Sequence, residues 1–473
     1  MLTYSLEGQE GPLYERLYRA IKKDIEAGTL AAGERLPSKR SFARNLGVST
    51  ITVEGAYRQL ALEGYIHSEP KRGYFVEPRL RVRPRPALQP APPPPARHRA
   101  NRPWRIELSG NHTDPDCFPF SVWSRLMRET VSDRRSFLSR PPAAGAPELR
   151  EAIASHLAAF RGMTVSPSQI VVGAGSESLY VRLVQLLGRS RRICLEDPGY
   201  RTLERVYASL GITCACAGLD EAGMKVSDLR ASGADTAHTS PAHQFPTGIT
   251  MPAARRYELL AWASERPGRL IIEDDYDSEF RLEGRPVPPL QSLDSEGRVI
   301  YLNTFTKSLA STVRLAYMVL PPELAERFEE KMRFSACPVS NFEQYALAKF
   351  ISRGYFEKHI NRMRSLYSRR REAVLRAFAE SPLAGRCETI ENRSGLHFLI
   401  RLKTARSDGE IVRALEAQGI HLAPLSSFSS GREPAPPHTF LFCYSNIRLE
   451  TLPEALAAIA RSLGPGPQAE RPL

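Results

Sequence analysis

No apolar run in this chain approaches the roughly 20 consecutive residues that span a bilayer, which excludes a transmembrane helix. Cysteine is sparse. The seven (Cys117, Cys194, Cys214, Cys216, Cys337, Cys387 and Cys443) are odd in number and scattered over 473 residues, which argues against a disulfide framework. Cys214-Ala-Cys216 lacks the spacing of metal ligands, so no metal site is expected and the thiols read as small buried hydrophobes in a reducing compartment. Residues 1–10 carry neither a basic n-region nor an apolar h-region, so no secretory signal is expected. These absences point to a soluble, cytoplasmic protein. A composition that is 42% hydrophobic is enough to bury a sizeable core, and the length corresponds to about three domains. The net charge of +13 permits a polyanionic partner without establishing one.

Helical signals follow one another closely in residues 11–76. Pro12 suits a first helical position, Leu13, Leu17, Ile21 and Ile25 repeat at helical spacing, and Gly28 stops the helix. Ser38 is placed to cap a short second helix closed by Gly47. Ser49 is placed to cap a third, whose Val53, Ala56, Tyr57 and Leu60 form one apolar stripe and which ends at Gly64. Two short helices joined by a tight glycine turn make a helix-turn-helix, whose second helix enters the major groove by its N-terminal end. Tyr65-Ile66 and Tyr74-Phe-Val76 flank Pro70-Lys-Arg-Gly73 as a hairpin with a basic tip. On this reading Ser38, Lys39, Arg40 and Arg44 hold phosphates, Ser49, Thr50 and Thr52 face base edges, and Arg72 reaches a minor groove. Leu36-Pro-Ser-Lys-Arg40, Leu46-Gly-Val-Ser49 and Glu63-Gly-Tyr65 resemble the winged-helix domain of the GntR family. Thr50 stands where many members have arginine, which leaves the operator sequence open. A double-stranded DNA operator is the implied partner.

Residues 77–103 hold seven arginines, nine prolines and one acid, a composition that cannot pack a core and reads as an extended, semi-rigid linker. Its arginines either brush DNA or simply keep the linker solvated. From residue 104 to about 465, short apolar runs alternate with helical stretches. Runs at 170–172, 192–195, 270–272, 299–302 and 316–320 are continuous rather than alternating, which predicts an α/β fold with a mostly parallel sheet covered on both faces. Active loops in such a sheet gather at the carboxyl ends of the strands.

Most of the chemistry-bearing motifs fall at such ends. Gly173-Ala-Gly-Ser-Glu177 opens a helix whose N–H groups can receive a phosphate. Tyr200, in Glu196-Asp-Pro-Gly-Tyr200, puts an aromatic ring at the same edge, and the irregular loop Ser240-Pro-Ala-His-Gln-Phe-Pro-Thr-Gly248 offers His243 and Gln244 as donors. Asp274 follows one run and is suited to pair with a pyridinium nitrogen. Lys307 follows the next and supplies an amine, with Thr304 as a hydroxyl and Arg314 as a bidentate phosphate partner.

Together these motifs resemble fold-type I pyridoxal-phosphate enzymes of the aspartate aminotransferase class, and joined to the head the chain resembles a MocR-type regulator. The resemblance implies that Lys307 holds pyridoxal 5'-phosphate as a Schiff base and is the catalytic residue of the fold. It implies that Asp274 pairs with the ring nitrogen, Tyr276 bonds the ring hydroxyl, and Tyr200 stacks on the ring. It assigns the phosphate to the Ser176 and Glu177 backbone, Thr304 and Arg314. His243 falls in a further matching stretch and is taken with the cofactor-binding set. Glu196 receives no role.

Two departures matter. The stretch Thr439-Phe-Leu-Phe-Cys-Tyr-Ser445 lacks the arginine that binds a substrate carboxylate in aminotransferases, and Arg140 replaces a family tyrosine, where it is placed to reach a phosphate of a partner subunit. The expected function is a homodimeric transcriptional regulator sensing pyridoxal phosphate, an amine or an amino acid through Lys307. An active aminotransferase with a tethering head, and a DNA-binding protein whose body has lost the cofactor, are the alternatives.

Overall fold

The computed structural model describes residues 2–6, 11–78, 104–110, 112–132, 138–282, 284, 287–391, 395–432 and 434–464. Of the expected linker, residues 77–103, all but residues 77 and 78 lie outside them. The chain divides into two compact units, Met1–Arg102 and Pro103–Leu473.

The first unit is a winged helix. α1 (Leu13–Ala27) buries Leu17, Ile21 and Ile25 and ends at Gly28, whose φ of 78° an L side chain adopts only under strain. Pro12 precedes this helix rather than starting it, and Leu13 is 46% exposed, so the buried repeat begins at Leu17. Ser38 accepts from the Ser41 N–H at 3.2 Å and starts α2 (Lys39–Leu46). Ser49 accepts from the Thr52 N–H at 3.1 Å and starts α3 (Thr50–Leu62), which buries Val53, Ala56, Tyr57 and Leu60. The wing is an antiparallel pair, β1 (Ile66–Glu69) and β2 (Gly73–Val76). The core also takes in Leu6 from ahead of the first helix, and the Tyr4 hydroxyl donates to Asp24 at 2.7 Å. The unit therefore begins earlier than residue 11.

In the second unit, β3 (Ile106–Glu107) precedes an eight-stranded sheet. Its members are β4 (Ile170–Gly173), β5 (Arg192–Asp197), β6 (Thr213–Asp220), β7 (Gly223–Met224), β8 (Thr236–Thr239), β9 (Leu270–Asp274), β10 (Val299–Thr304) and β11 (Ala316–Val319), in spatial order β4-β11-β10-β9-β8-β5-β6-β7. Six strands run one way. β11 and β7 are antiparallel to their neighbours, so the run at 316–320 returns against the parallel set. Helices cover both faces, and alternate residues feed opposite cores: Ile300 and Leu302 one, Tyr301 the other. Burial on both sides explains why the strands are continuous in apolar residues. β8 escaped notice in the sequence because Thr-Ala-His-Thr is polar yet fully buried.

A smaller antiparallel sheet carries β12 (Cys387–Ile390), β13 (His397–Leu402), β15 (Ala423–Pro424) and β16 (Thr439–Cys443). β14 (Ile420–His421) pairs with β3, tying the start of the unit to its end. No helix of the described residues is long and apolar enough to cross a membrane.

Candidate functional site

β4, β5, β8, β9 and β10 present their carboxyl ends to one cavity of about 390 Å³. Ser176, Glu177, Tyr200, Asp274, Tyr276, Thr304, Lys307 and Arg314 all line it. The ninth expected residue, His243, does not. It is buried one layer behind, with its Nδ1 3.2 Å from the Tyr276 hydroxyl and 2.9 Å from Asp277 Oδ2.

Lys307 lies in the single helical turn Phe305–Ser308 that follows β10. Main-chain restraints hold this turn. Thr304 Oγ1 accepts from the Thr306 N–H at 3.1 Å, and Thr113 Oγ1 donates to the Thr306 carbonyl at 2.8 Å. Burial pushes His359 down to about 4, so its neutral Nε2–H donates to the Ser308 carbonyl at 2.8 Å. The cavity walls shield the amine from bulk water although part of the side chain faces the cavity. That desolvation lowers its pKa from 10.5 to about 8.

Strand alternation distributes the acidic run that ends β9 and continues beyond it. Glu273 turns away and accepts the Leu290 and Gln291 N–H groups at 2.7 and 2.9 Å; burial raises it to about 7. Asp275 also turns away and meets Arg161 at 2.6 Å, while Asp277 holds His243. Asp274 and Tyr276 face the cavity. Beneath Asp274, the Tyr180 hydroxyl donates to Oδ2 at 2.9 Å and His238 Nε2 stands 3.5 Å from the same oxygen, with Tyr207 on His238 Nδ1 at 2.9 Å. Burial and then the Asp274 charge hold the Tyr180 phenol well above its ordinary value, so it remains a donor. Neither Tyr180 nor His238 was singled out in the sequence. Tyr180 lies four residues after Ser176, on the same helical face, a spacing that offered a signal.

At the opposite corner, the helix Ser176–Leu187 begins after Gly175, whose φ is +81°. A Cβ at Gly175 would stand 2.9 Å from Arg314 Nη2, and the positive φ itself favours glycine there. Arg314 itself adopts φ +49° and donates to Glu177 Oε2 at 3.2 Å. The buried carboxylate of Glu196 accepts from Thr239 Oγ1 at 2.5 Å and Gln244 Nε2 at 3.2 Å, which gives it a role in anchoring the 240–248 loop; burial raises its pKa. Arg140, exposed, donates to the Phe334 carbonyl and is not on the cavity wall. β16 brings no arginine to the wall, and Arg448 is exposed away from it. Arg201, however, does line the cavity, paired with Glu204 at 2.8 Å. The cavity therefore has a second guanidinium, which weakens the sequence argument against amino-acid turnover.

In the winged helix, Ser38, Arg40, Arg44, Ser49, Thr50 and Arg72 are exposed. Lys39 is partly covered and ion-paired with Glu54 at 2.8 Å. The Ser38 and Ser49 hydroxyls are engaged as caps, and Thr52 Oγ1 bonds Ser49 Oγ at 2.8 Å. Ile51, passed over in the sequence, is 78% exposed between Thr50 and Thr52.

Residues 106–459 match the aminotransferase class I and II family, and residues 13–76 match the gntR family of bacterial regulatory proteins. The uncharacterized HTH-type transcriptional regulator YhdI of Bacillus subtilis is 41% identical over 422 residues, 88% of each chain. The probable rhizopine catabolism regulatory protein MocR of Rhizobium meliloti is 34% identical, covering 88% of this chain and 87% of its own. The chain belongs to the MocR-type transcriptional regulators. Among solved structures, the second unit is similar to Pyrococcus horikoshii kynurenine aminotransferase, solved in complex with PMP. The TM-score is 0.66 at 26% identity, over 76% of this chain and 90% of that one.

Pyridoxal phosphate is the cofactor this MocR-type architecture implies. The residues fit it. The glycine-lined helix start with Arg314 suits a phosphate, Asp274 supported by Tyr180 suits a protonated ring nitrogen, and the desolvated Lys307 suits an aldehyde.

Two outcomes follow. Tyr180→Phe removes a donor from a buried carboxylate, at a cost of about 1–3 kcal/mol, and weakens pyridoxal phosphate binding roughly tenfold or more in an absorbance titration. Because the amine reacts unprotonated, uptake by the apoprotein rises with pH with its midpoint near pH 8, rather than near 10.5. Stopped-flow absorbance checks this.

Proposed function

We propose that the second unit is a ligand sensor that controls DNA binding by the winged helix. When bound, pyridoxal phosphate supplies an electrophilic aldehyde carbon and a ring that accepts electrons. Lys307 Nζ is the group that engages the aldehyde, while Asp274 holds a proton on the ring nitrogen. Tyr276 orients the ring hydroxyl, Tyr200 covers the ring face, and Ser176, the Glu177 main chain, Thr304 and Arg314 hold the phosphate. The carrying observation is the coexistence, in one chain, of a desolvated lysine facing a supported aspartate and a winged helix with exposed basic residues. Relatives called transcriptional regulators match both units.

The effector is pyridoxal phosphate itself or a small amine or amino acid that competes for Lys307. For regulation, it must bind two states of the protein unequally; a tenfold change in operator affinity corresponds to about 1.4 kcal/mol of differential binding. A homodimer in the cytoplasm, presenting two heads to two half-sites in direct or inverted order, completes this reading. In the head, Arg40, Arg44, Lys39 and Ser38 hold phosphates, Thr50, Thr52 and Ser49 face bases, and Arg72 reaches the minor groove.

A second reading, amino-acid turnover, is favoured by Arg201, a guanidinium available to an effector's carboxylate. Fluorescence anisotropy on the DNA upstream of the gene, with and without pyridoxal phosphate, tests the first reading. Wild-type protein is expected to change operator affinity severalfold on adding the cofactor, and Lys307→Ala to bind DNA without responding. An equal response in Lys307→Ala, or efficient multiple turnover of an amino acid and a keto acid, overturns it.

A further inference from the structure

His243 is 3% exposed, and nothing in the cofactor reading explains its surroundings. Its Nδ1 faces two oxygens, Asp277 Oδ2 at 2.9 Å and the Tyr276 hydroxyl at 3.2 Å. One ring nitrogen cannot donate to the first and accept from the second at once. A carboxylate only accepts, and Asp277 is itself 3% exposed, so leaving it without a donor is the costlier choice. The ring proton therefore belongs on Nδ1, directed at Asp277, and Nδ1 has no lone pair to offer Tyr276.

The ring is closely packed in this arrangement. Gly395, at φ +70°, lies so close that a Cβ there would stand 1.8 Å from His243 Cε1, and the Tyr444 hydroxyl pins the Gly395 carbonyl at 2.5 Å. On the other side stands the His397 ring, 4.6 Å away between centroids. Burial, then His243 and Lys307, hold His397 well below its ordinary pKa, so it stays neutral. Glu196, Asp274 and Cys443 are the further titratable groups near Tyr276, and Cys443 and Asp277 those near Lys307.

We propose that Asp277 and His243 are positioning residues that deny the Tyr276 hydroxyl an acceptor behind it, so that its proton is donated into the cavity. Tyr276 is thereby a donor of fixed direction towards an anionic oxygen on the bound ring. This rests on the pyridoxal-phosphate reading of the cavity. The same geometry assigns no metal to His243, Asp277 and His397, although these three are close enough to share an ion: the Asp277 oxygen and His243 Nδ1 already face each other across a shared proton.

The test is the pH titration of the absorbance of protein-bound pyridoxal phosphate. A donor to an anionic ring oxygen stabilises the deprotonated form, so its loss raises the midpoint. Tyr276→Phe is expected to raise it by roughly one to two units. Asp277→Leu frees Nδ1 to accept from Tyr276 and is expected to raise it in the same direction. Adding His243→Phe to Asp277→Leu removes that acceptor and is expected to bring the midpoint back, an outcome that general damage to the site does not produce. In the Tyr276→Phe background, Asp277→Leu should add nothing. An unchanged midpoint in Asp277→Leu, a shift that persists in the double variant, or stoichiometric metal lost together with His243 overturns the inference.

Should Asp277→Leu not fold, histidine nitrogen NMR of the wild-type holoprotein decides, with the His243 signal identified by its absence in His243→Phe. An Nδ1–H tautomer supports the inference and Nε2–H overturns it. A wild-type protein with no cofactor absorbance overturns the cavity reading as well, whereas a titrating wild type with a silent Asp277→Leu overturns this inference alone.

Discussion

An amine kept out of water at the end of β10 is the constraint around which the second unit is organised. Removing Lys307 from solvent disfavours its charge, and the pKa falls to about 8. That costs stability when the site stands alone, so such a group persists where the rest of the fold holds it in place. The main chain around it is accordingly restrained from three directions, by the Thr304 cap, by Thr113 and by His359. Opposite stands a carboxylate supported by Tyr180, with His238 and Tyr207 behind it. A second layer, Asp277 and His243, backs Tyr276.

How much of this was legible in the sequence depended on the physical signal each residue leaves. Lys307 and Asp274 stood out because polar residues shortly beyond a buried apolar run mark the active edge of a parallel sheet. Gly175 and Arg314 were readable for a similar reason, a glycine-rich turn opening a helix and a cation within reach of it. The caps Ser38 and Ser49 announced the winged helix, since a capping hydroxyl is a local device. Tyr180 and His238 were not readable in this way. Their roles arise from pairings between distant segments, such as β8 beside β9, where His238 lies opposite Ile272. His243 was expected among the cofactor-binding residues, but it lies behind Tyr276 rather than on the cavity wall, packed against Gly395, a residue distant in the sequence. Arg201 was overlooked because it opens a helix among ordinary surface charges, with its cavity-facing position set by the turn before it.

The two units answer different physical problems. The winged helix presents exposed charge and hydroxyls to solvent over a small core, which suits a polyanion whose contacts are largely electrostatic. The second unit buries several charges near its strand ends: Arg161 with Asp275, Glu273 on two backbone N–H groups, His243 with Asp277. Buried pairs of this kind are costly to leave half-made and define a single arrangement of the strand ends. Lys307 therefore sits among polar groups that are paired with one another, at the ends of the same strands.

The most direct measurement is reductive trapping: borohydride treatment of the protein with pyridoxal phosphate, followed by peptide mass spectrometry to locate the modified lysine. A desolvated Lys307 at the centre of a fitted cavity predicts near-stoichiometric modification at Lys307, with surface lysines largely untouched. Modification spread over surface lysines, or none at Lys307, would contradict the account.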